Sequence, residues 1–129
     1  MKPRRIDLRG ARKVADVVER VLRVRHEEVL ALAVALESRE PQALHDFRIA
    51  CKRLRYALER FSHRYRELEL LAQKLAAIQD ALGESHDRDV LLAVLPPTMP
   101  ETERRLGVER EEFVARAAEL WKNITVDSR

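Results

Sequence analysis

Pro41-Gln42-Ala43-Leu44-His45-Asp46-Phe47-Arg48-Ile49-Ala50-Cys51-Lys52-Arg53-Leu54-Arg55-Tyr56-Ala57-Leu58-Glu59-Arg60-Phe61 decides the fold class. Its apolar positions Leu44, Phe47, Cys51, Leu54, Leu58 and Phe61 advance by alternating steps of three and four. That spacing puts one continuous apolar stripe on a helix and fits no strand. Pro41 suits the first turn, where a missing N–H is no loss. The stripe runs on formally through Tyr65, Leu68, Ala72, Leu75, Ile78 and Leu82. A break near Ser62-His63-Arg64 is expected, because helices of roughly 8–20 residues are the norm in small domains.

Upstream, Ala11 to Glu40 contains no Gly or Pro, and apolar residues recur at Val14, Val18, Val21, Val29, Leu32 and Leu36. The later part is apolar on nearly all sides, as in a central bundle helix. Downstream, Gly83 is expected to stop the third helix as its C′ residue. Ser85 then caps a short fourth helix with Asp87 and Asp89 in its first turn. Val90, Leu91, Leu92, Val94 and Leu95 are its apolar content, and Pro96-Pro97 ends it. A last helix follows Pro100, with Leu106, Phe113, Ala117, Leu120 and Ile124 facing inward. Period-2 alternation and hairpin dipeptides are absent. The expectation is all-α: one domain, 1–129, an antiparallel bundle of four to five helices. Its core spans about 11–95 and its C-terminal helix about 101–124.

The chain has 129 residues, 46% hydrophobic and 36% charged, enough apolar material for one core. Its net charge of +3 hides an asymmetry. Met1 to Arg66 holds 17 Lys/Arg against 9 Asp/Glu, whereas Glu67 to Arg129 holds 8 against 13. A basic half points to a polyanion-facing surface. Cys51 is the single cysteine, which excludes an internal disulfide framework and a cysteine-based zinc site and suits a reducing, cytoplasmic setting. The longest apolar run, Val29 to Leu36, is far short of the roughly 20 residues that span a bilayer. Met1-Lys2-Pro3-Arg4-Arg5 lacks the apolar region of a secretory signal, so no membrane association is expected. Gly10, Gly83 and Gly107 cannot meet the spacing of a phosphate-cradling glycine loop. Six aromatic residues leave little for base stacking.

On the helix that begins at Pro41, with His45 at zero and about 100° per residue, the apolar stripe occupies about 160–260°. Arg55, Arg48 and Lys52 fall at about 280°, 300° and 340°, beside His45. Three permanent cations and a histidine therefore share one arc at the edge of the core. Glu59, at about 320°, is the only acid among them, while Arg53 and Arg60 lie apart at about 80° and 60°. Like charges three and four residues apart repel by a few tenths of a kcal/mol each, so the arc wants anions. Acids on neighbouring helices, snorkelling to water, or a bound anionic ligand each answer that need.

His45-Asp46-Phe47-Arg48-Ile49-Ala50-Cys51-Lys52-Arg53-Leu54-Arg55 resembles the hallmark of the CHAD family, the conserved histidine α-helical domain. The hallmark is a His-Asp, an Arg two residues on, then a basic-basic-Leu-Arg cluster. Leu82-Gly83-Glu84-Ser85-His86-Asp87-Arg88-Asp89-Val90-Leu91-Leu92 is similar to the family's Leu-Gly…Asp-x-Asp-Val-Leu-Leu segment. The two matches cover about 30 residues strongly, and the helical pattern fits around them. The resemblance implies a non-catalytic module that binds inorganic polyphosphate through basic side chains lining a groove or pore, with no cofactor and no metal. Carried over by position, Arg48, Lys52, Arg53 and Arg55 would contact phosphates, with His45 beside them. Polyphosphate has no bases to read, so rows of cations suffice; arginine's fork grips phosphate oxygens and lysine adds a movable charge. The chain departs from the family in three places. His86-Asp87 stands where many members have Arg-Asp, Lys52 stands where Arg is common, and the length matches one of the two helical halves of a full domain. A homodimer that rebuilds both halves is the expected consequence.

Asp87 and Asp89 have two readings: acids at a helix start, or carboxylates supporting the arginines of the second helix. Cys51 falls in the stripe and is expected to be inert core. Trp121 is expected to pack, in the core or at a dimer contact. The basic arm Lys2, Arg4, Arg5, Arg9, Arg12 and Lys13 is expected to be a solvated tail. Two other functions stay open. His26, His45-Asp46 and Asp87 or Asp89 supply the residue types of HD metal-dependent phosphohydrolases, a reading that leaves the arginine arc without a role. Nucleic acid is the third, bound only non-specifically as a rod of phosphates, because the arc carries no base-reading side chains.

Overall fold

Glu40 turns the chain into its central helix. Its carboxylate accepts the backbone N–H groups of Gln42 at 3.1 Å and Ala43 at 2.8 Å, and Pro41 follows in the first turn. A computed structural model describes residues 2–127. The helices are α1 (Val14–Leu32), the single turn α2 (Ala35–Ser38), α3 (Pro41–Ser62), α4 (Glu67–Val94) and α5 (Pro100–Asp127). No strand occurs among the described residues. The all-α expectation and the break after Ser62 both hold.

α3 packs between α1 and α4, and α4 packs between α3 and α5. Leu44, Phe47, Cys51, Leu54 and Leu58 of the α3 stripe are buried, and only its last member, Phe61, stays partly exposed. They meet Val29 from α1, Ala72, Leu75, Ile78 and Leu82 from α4, and Val114, Ala117 and Ile124 from α5. Trp121 packs edge-on against Phe47, ring centroids 5.6 Å apart, and is a core-rim residue. Burial pushes the Cys51 thiol up to about 12, which keeps it protonated and unreactive.

Three local expectations are corrected. The interval Ala11 to Glu40 is not one helix: it turns at Ala33-Val34, and Arg39 takes a left-handed conformation with φ 57°. The turn sends Ala35 and Leu36 into the core, although Leu30 and Val34 remain exposed. Tertiary burial decides there, because an apolar run without Gly or Pro carries no stop signal of its own. Gly83 does not end a helix; α4 continues through it for another 11 residues to Val94. Ser85 consequently caps nothing, and its buried hydroxyl donates to Leu82 O at 2.8 Å within the same helix. Asp87 and Asp89 lie in the last third of α4, not in a first turn. Finally, the basic arm is tied down. Buried Glu28 accepts from the Arg4 N–H at 2.9 Å and pairs with Arg25 at 2.6 Å, while Arg20 donates to Arg9 O at 2.5 Å.

Candidate anion-binding groove

α3 and α4 run antiparallel, so residues pair in opposite order along the groove between them. His45 meets His86, the rings stacked with centroids 5.1 Å apart and planes 27° from parallel. One turn on, Arg48 Nε donates to Gln79 O at 3.4 Å, a long bond. Farther along, Glu59 and Ser62 face Glu69, Ala72, Gln73 and Ala76. The groove is thus basic at the end where α3 begins and acidic at the other.

Small residues on α4 make room for the long cations of α3. A Cβ added at Gly83 would lie 3.4 Å from Arg48 Nη2 and 3.5 Å from its Nε. The guanidinium therefore rests over the bare backbone of Gly83. An alanine methyl would fit there at ordinary contact distance, so the glycine leaves open space beneath Arg48 at a cost of about 1 kcal/mol of helix stability relative to alanine. Lys52 and Arg55 follow on the same arc. The Arg55 guanidinium lies 4.9 Å from the Tyr56 ring centroid and the Lys52 ammonium 5.7 Å from it. Arg55 approaches Glu59 at 3.5 Å, a charge contact that leaves its buried Nε without a hydrogen-bond partner. From His45 to Arg55 the helix rises about 15 Å.

His45, Arg48, Lys52 and Arg55 come together as the arc places them. Arg53 does not: it lines a separate hollow toward α1, with Arg25, Tyr56, Arg60, Phe61 and the N-terminal arm. Asp89 supports an arginine of α5 instead of α3. Arg110 Nε donates to it at 3.0 Å, while its other nitrogens reach Glu111 at 2.8 Å and Arg39 O at 2.7 Å. Burial opposes the charge on Arg110, but the hydrogen bonds it donates to Glu111 and Asp89 outweigh it and raise its pKa. Arg39 and, next, Arg110 hold the Glu111 carboxyl below its ordinary value. Asp87 is exposed.

Among the described residues, no three His, Cys, Asp or Glu side chains form a metal-holding group. His26 lines an apolar cleft with Leu22, Leu68 and Trp121, well apart from His45 in the α3/α4 groove. The residue types of the phosphohydrolase reading are thus scattered. Two members of the groove lie outside the α3 arc: Gly83, the seat of Arg48, and His86, stacked on His45. The signal for the first was the run of small residues Ala72, Ala76 and Gly83 on α4.

A family model described as the CHAD domain matches residues 2–96. The chain belongs to the CHAD domain family. No curated protein and no solved structure matches it. The family is associated in general with polyphosphate binding, and CHAD domains are generally binding modules. In this CHAD domain no helix of the described residues is long and apolar enough to cross a membrane.

Proposed function

We propose that the basic end of the α3/α4 groove binds inorganic polyphosphate without catalysis, with His45, Arg48, Lys52 and Arg55 as the contact residues. One observation carries the reading: Arg48 is seated on Gly83 with a long bond to a backbone carbonyl, and no carboxylate among the described residues pairs with it. A guanidinium half-withdrawn from water and left short of acceptors is prepared for an anion, because charge-assisted bonds to phosphate oxygens are shorter and stronger than the one it has. Lys52 and Arg55 extend the cationic row by two turns. Glu59 and Glu69 repel a polyanion beyond that point. Arg53, on the far side of α3, is a peripheral contact in this reading, and Asp89 contributes indirectly by fixing α4 to α5.

The protein is taken to work in the cytoplasm as a homodimer. In support of pairing, Val90, Leu91 and Val94 expose apolar surface at the end of α4. Sedimentation at tens of micromolar protein, on the order of a typical assay concentration, should return twice the chain mass; a monomer there removes the dimer from the reading.

The deciding experiment is a competition titration of polyphosphate and duplex DNA at equal phosphate concentration and two salt levels. Polyphosphate should win at both, with affinity falling steeply as salt rises, by analogy with nucleic-acid backbones. If DNA wins, the protein binds phosphate backbones without distinction and the polyphosphate assignment fails.

A further inference from the structure

The basic row does not end at His45. His86 reaches across from α4 and lays its ring against the His45 ring, so two imidazoles from different helices stand together at the mouth of the groove. Both residues are partly exposed, and His45 Nδ1 is buried without a hydrogen-bond partner. Imidazole is the side chain whose charge ordinarily changes between about pH 5 and 8.

The charged groups around the pair include acids as well as cations, and several of the acids are engaged elsewhere. On α3, Arg48 lies one turn along, and Asp46 accepts from Gln42 at 3.1 Å. On α4, Asp89 is held by Arg110 of α5, and Glu84 pairs with Arg88, which also faces Glu109 of α5. Asp87 is exposed on α4, and Arg39, beyond α2, pairs with Glu111. No described carboxylate bonds to either imidazole. Arg48 lies one turn along α3 from His45, so the two stacked rings continue the row of cations to its end. A polyanion lying along the row would face the stacked rings as well as Arg48, and negative charge there favours a protonated imidazole.

We propose that His86 is a member of the anion site, stacked on His45 so that the pair takes up protons as polyphosphate binds and makes binding tighter in mild acid. The inference rests on the polyphosphate reading. Protonation and anion binding must strengthen each other reciprocally, since each lowers the cost of the other. The sign follows: the bound state holds more protons, so affinity rises as pH falls.

The test measures polyphosphate affinity at constant ionic strength at pH 8 and pH 6, in the histidine titration range, roughly 5–8. Affinity should rise about tenfold at the lower pH, the gain expected for about one proton taken up over one unit. Calorimetry in two buffers of different ionisation enthalpy should show that uptake directly. His86→Asn should lose most of the acid gain. His86→Arg, permanently charged, should bind tightly at both pH values with little difference between them. A double variant, His26→Asn with His63→Asn, removes the two histidines outside the groove and should keep the full gain.

Equal wild-type affinity at both pH values, or an acid gain that survives in His86→Asn, overturns the proposal and leaves polyphosphate binding standing. Absence of binding at both pH values overturns both readings together.

Discussion

Arg110 and Arg48 both reach α4 from a neighbouring helix, and they are met very differently. Arg110 arrives from α5 nearly buried and finds Asp89 at 3.0 Å, Glu111 at 2.8 Å and the Arg39 carbonyl at 2.7 Å. Its donors are matched and its charge is answered from within the protein. Arg48 arrives from α3 and finds one carbonyl at 3.4 Å and the open backbone of Gly83. A buried charge is tolerable only when paired and hydrogen-bonded, so the first arrangement ties three elements together. The second leaves capacity for a ligand. Saturation, not residue type, separates the structural arginine from the one proposed to bind an anion.

The comparison breaks most visibly at Arg110. Arg110→Ala should cost about 2 kcal/mol, since it strands the Asp89 carboxylate and the Arg39 carbonyl while Glu111 keeps Arg39. Denaturant titration checks this, and a loss below about 1 kcal/mol would mean that solvent already satisfies the network. The double variant Arg48→Ala with Arg55→Ala should do the opposite. Stability should stay within about 1 kcal/mol of the parent. Polyphosphate affinity should fall at least about tenfold, and the salt slope by about two. An unchanged affinity places the binding surface elsewhere.

Gly83→Ala sharpens the contrast on a smaller scale. The added methyl would meet the Arg48 guanidinium at 3.4 Å, an ordinary contact, while the helix gains up to about 1 kcal/mol. A rise in thermal midpoint is expected; a fall would show that Arg48 is held rigidly in its seat. The smallest effect concerns pH. The Glu111 carboxyl is held below its ordinary value of 4.5, by Arg39 first and Arg110 second. A lowered folded-state value gives stability that is complete above the ordinary value and lost as pH falls through the lowered one. Because Glu111 is half-exposed, the contribution is under about 1 kcal/mol. The stability gap between wild type and Glu111→Gln should close on acidification and shrink with added salt.

The α3 stripe was legible because its period is enforced by burial: Leu44, Phe47, Cys51, Leu54 and Leu58 all lie in the core. The same helical geometry placed His45, Arg48, Lys52 and Arg55 on one arc before any neighbour was known. Gly83 was misread, because a glycine followed by Ser85 looks locally like a helix end and start. What keeps α4 continuous is contact with α3 on one side and α5 on the other. The turn at Ala33-Val34 was invisible for the converse reason. Nothing local breaks the helix there, and only the core's demand for Ala35 and Leu36 does.

The basic half of the chain, noted from composition, divides in the folded protein. Arg4, Arg20 and Arg25 help tie the N-terminal arm to α1, and Arg53 and Arg60 line a hollow on the α1 side of α3. Only the arc on the α4 side forms the proposed site. The sequence by itself determined the helical class, the α3 boundaries and the cationic row, because these depend on the period of a single helix. The tertiary structure alone decided which arginines are neutralised, that Asp89 serves Arg110, and that His86 joins His45. Those pairings link residues 21 to 41 positions apart, whose distances are set by packing between helices and not by any spacing along one.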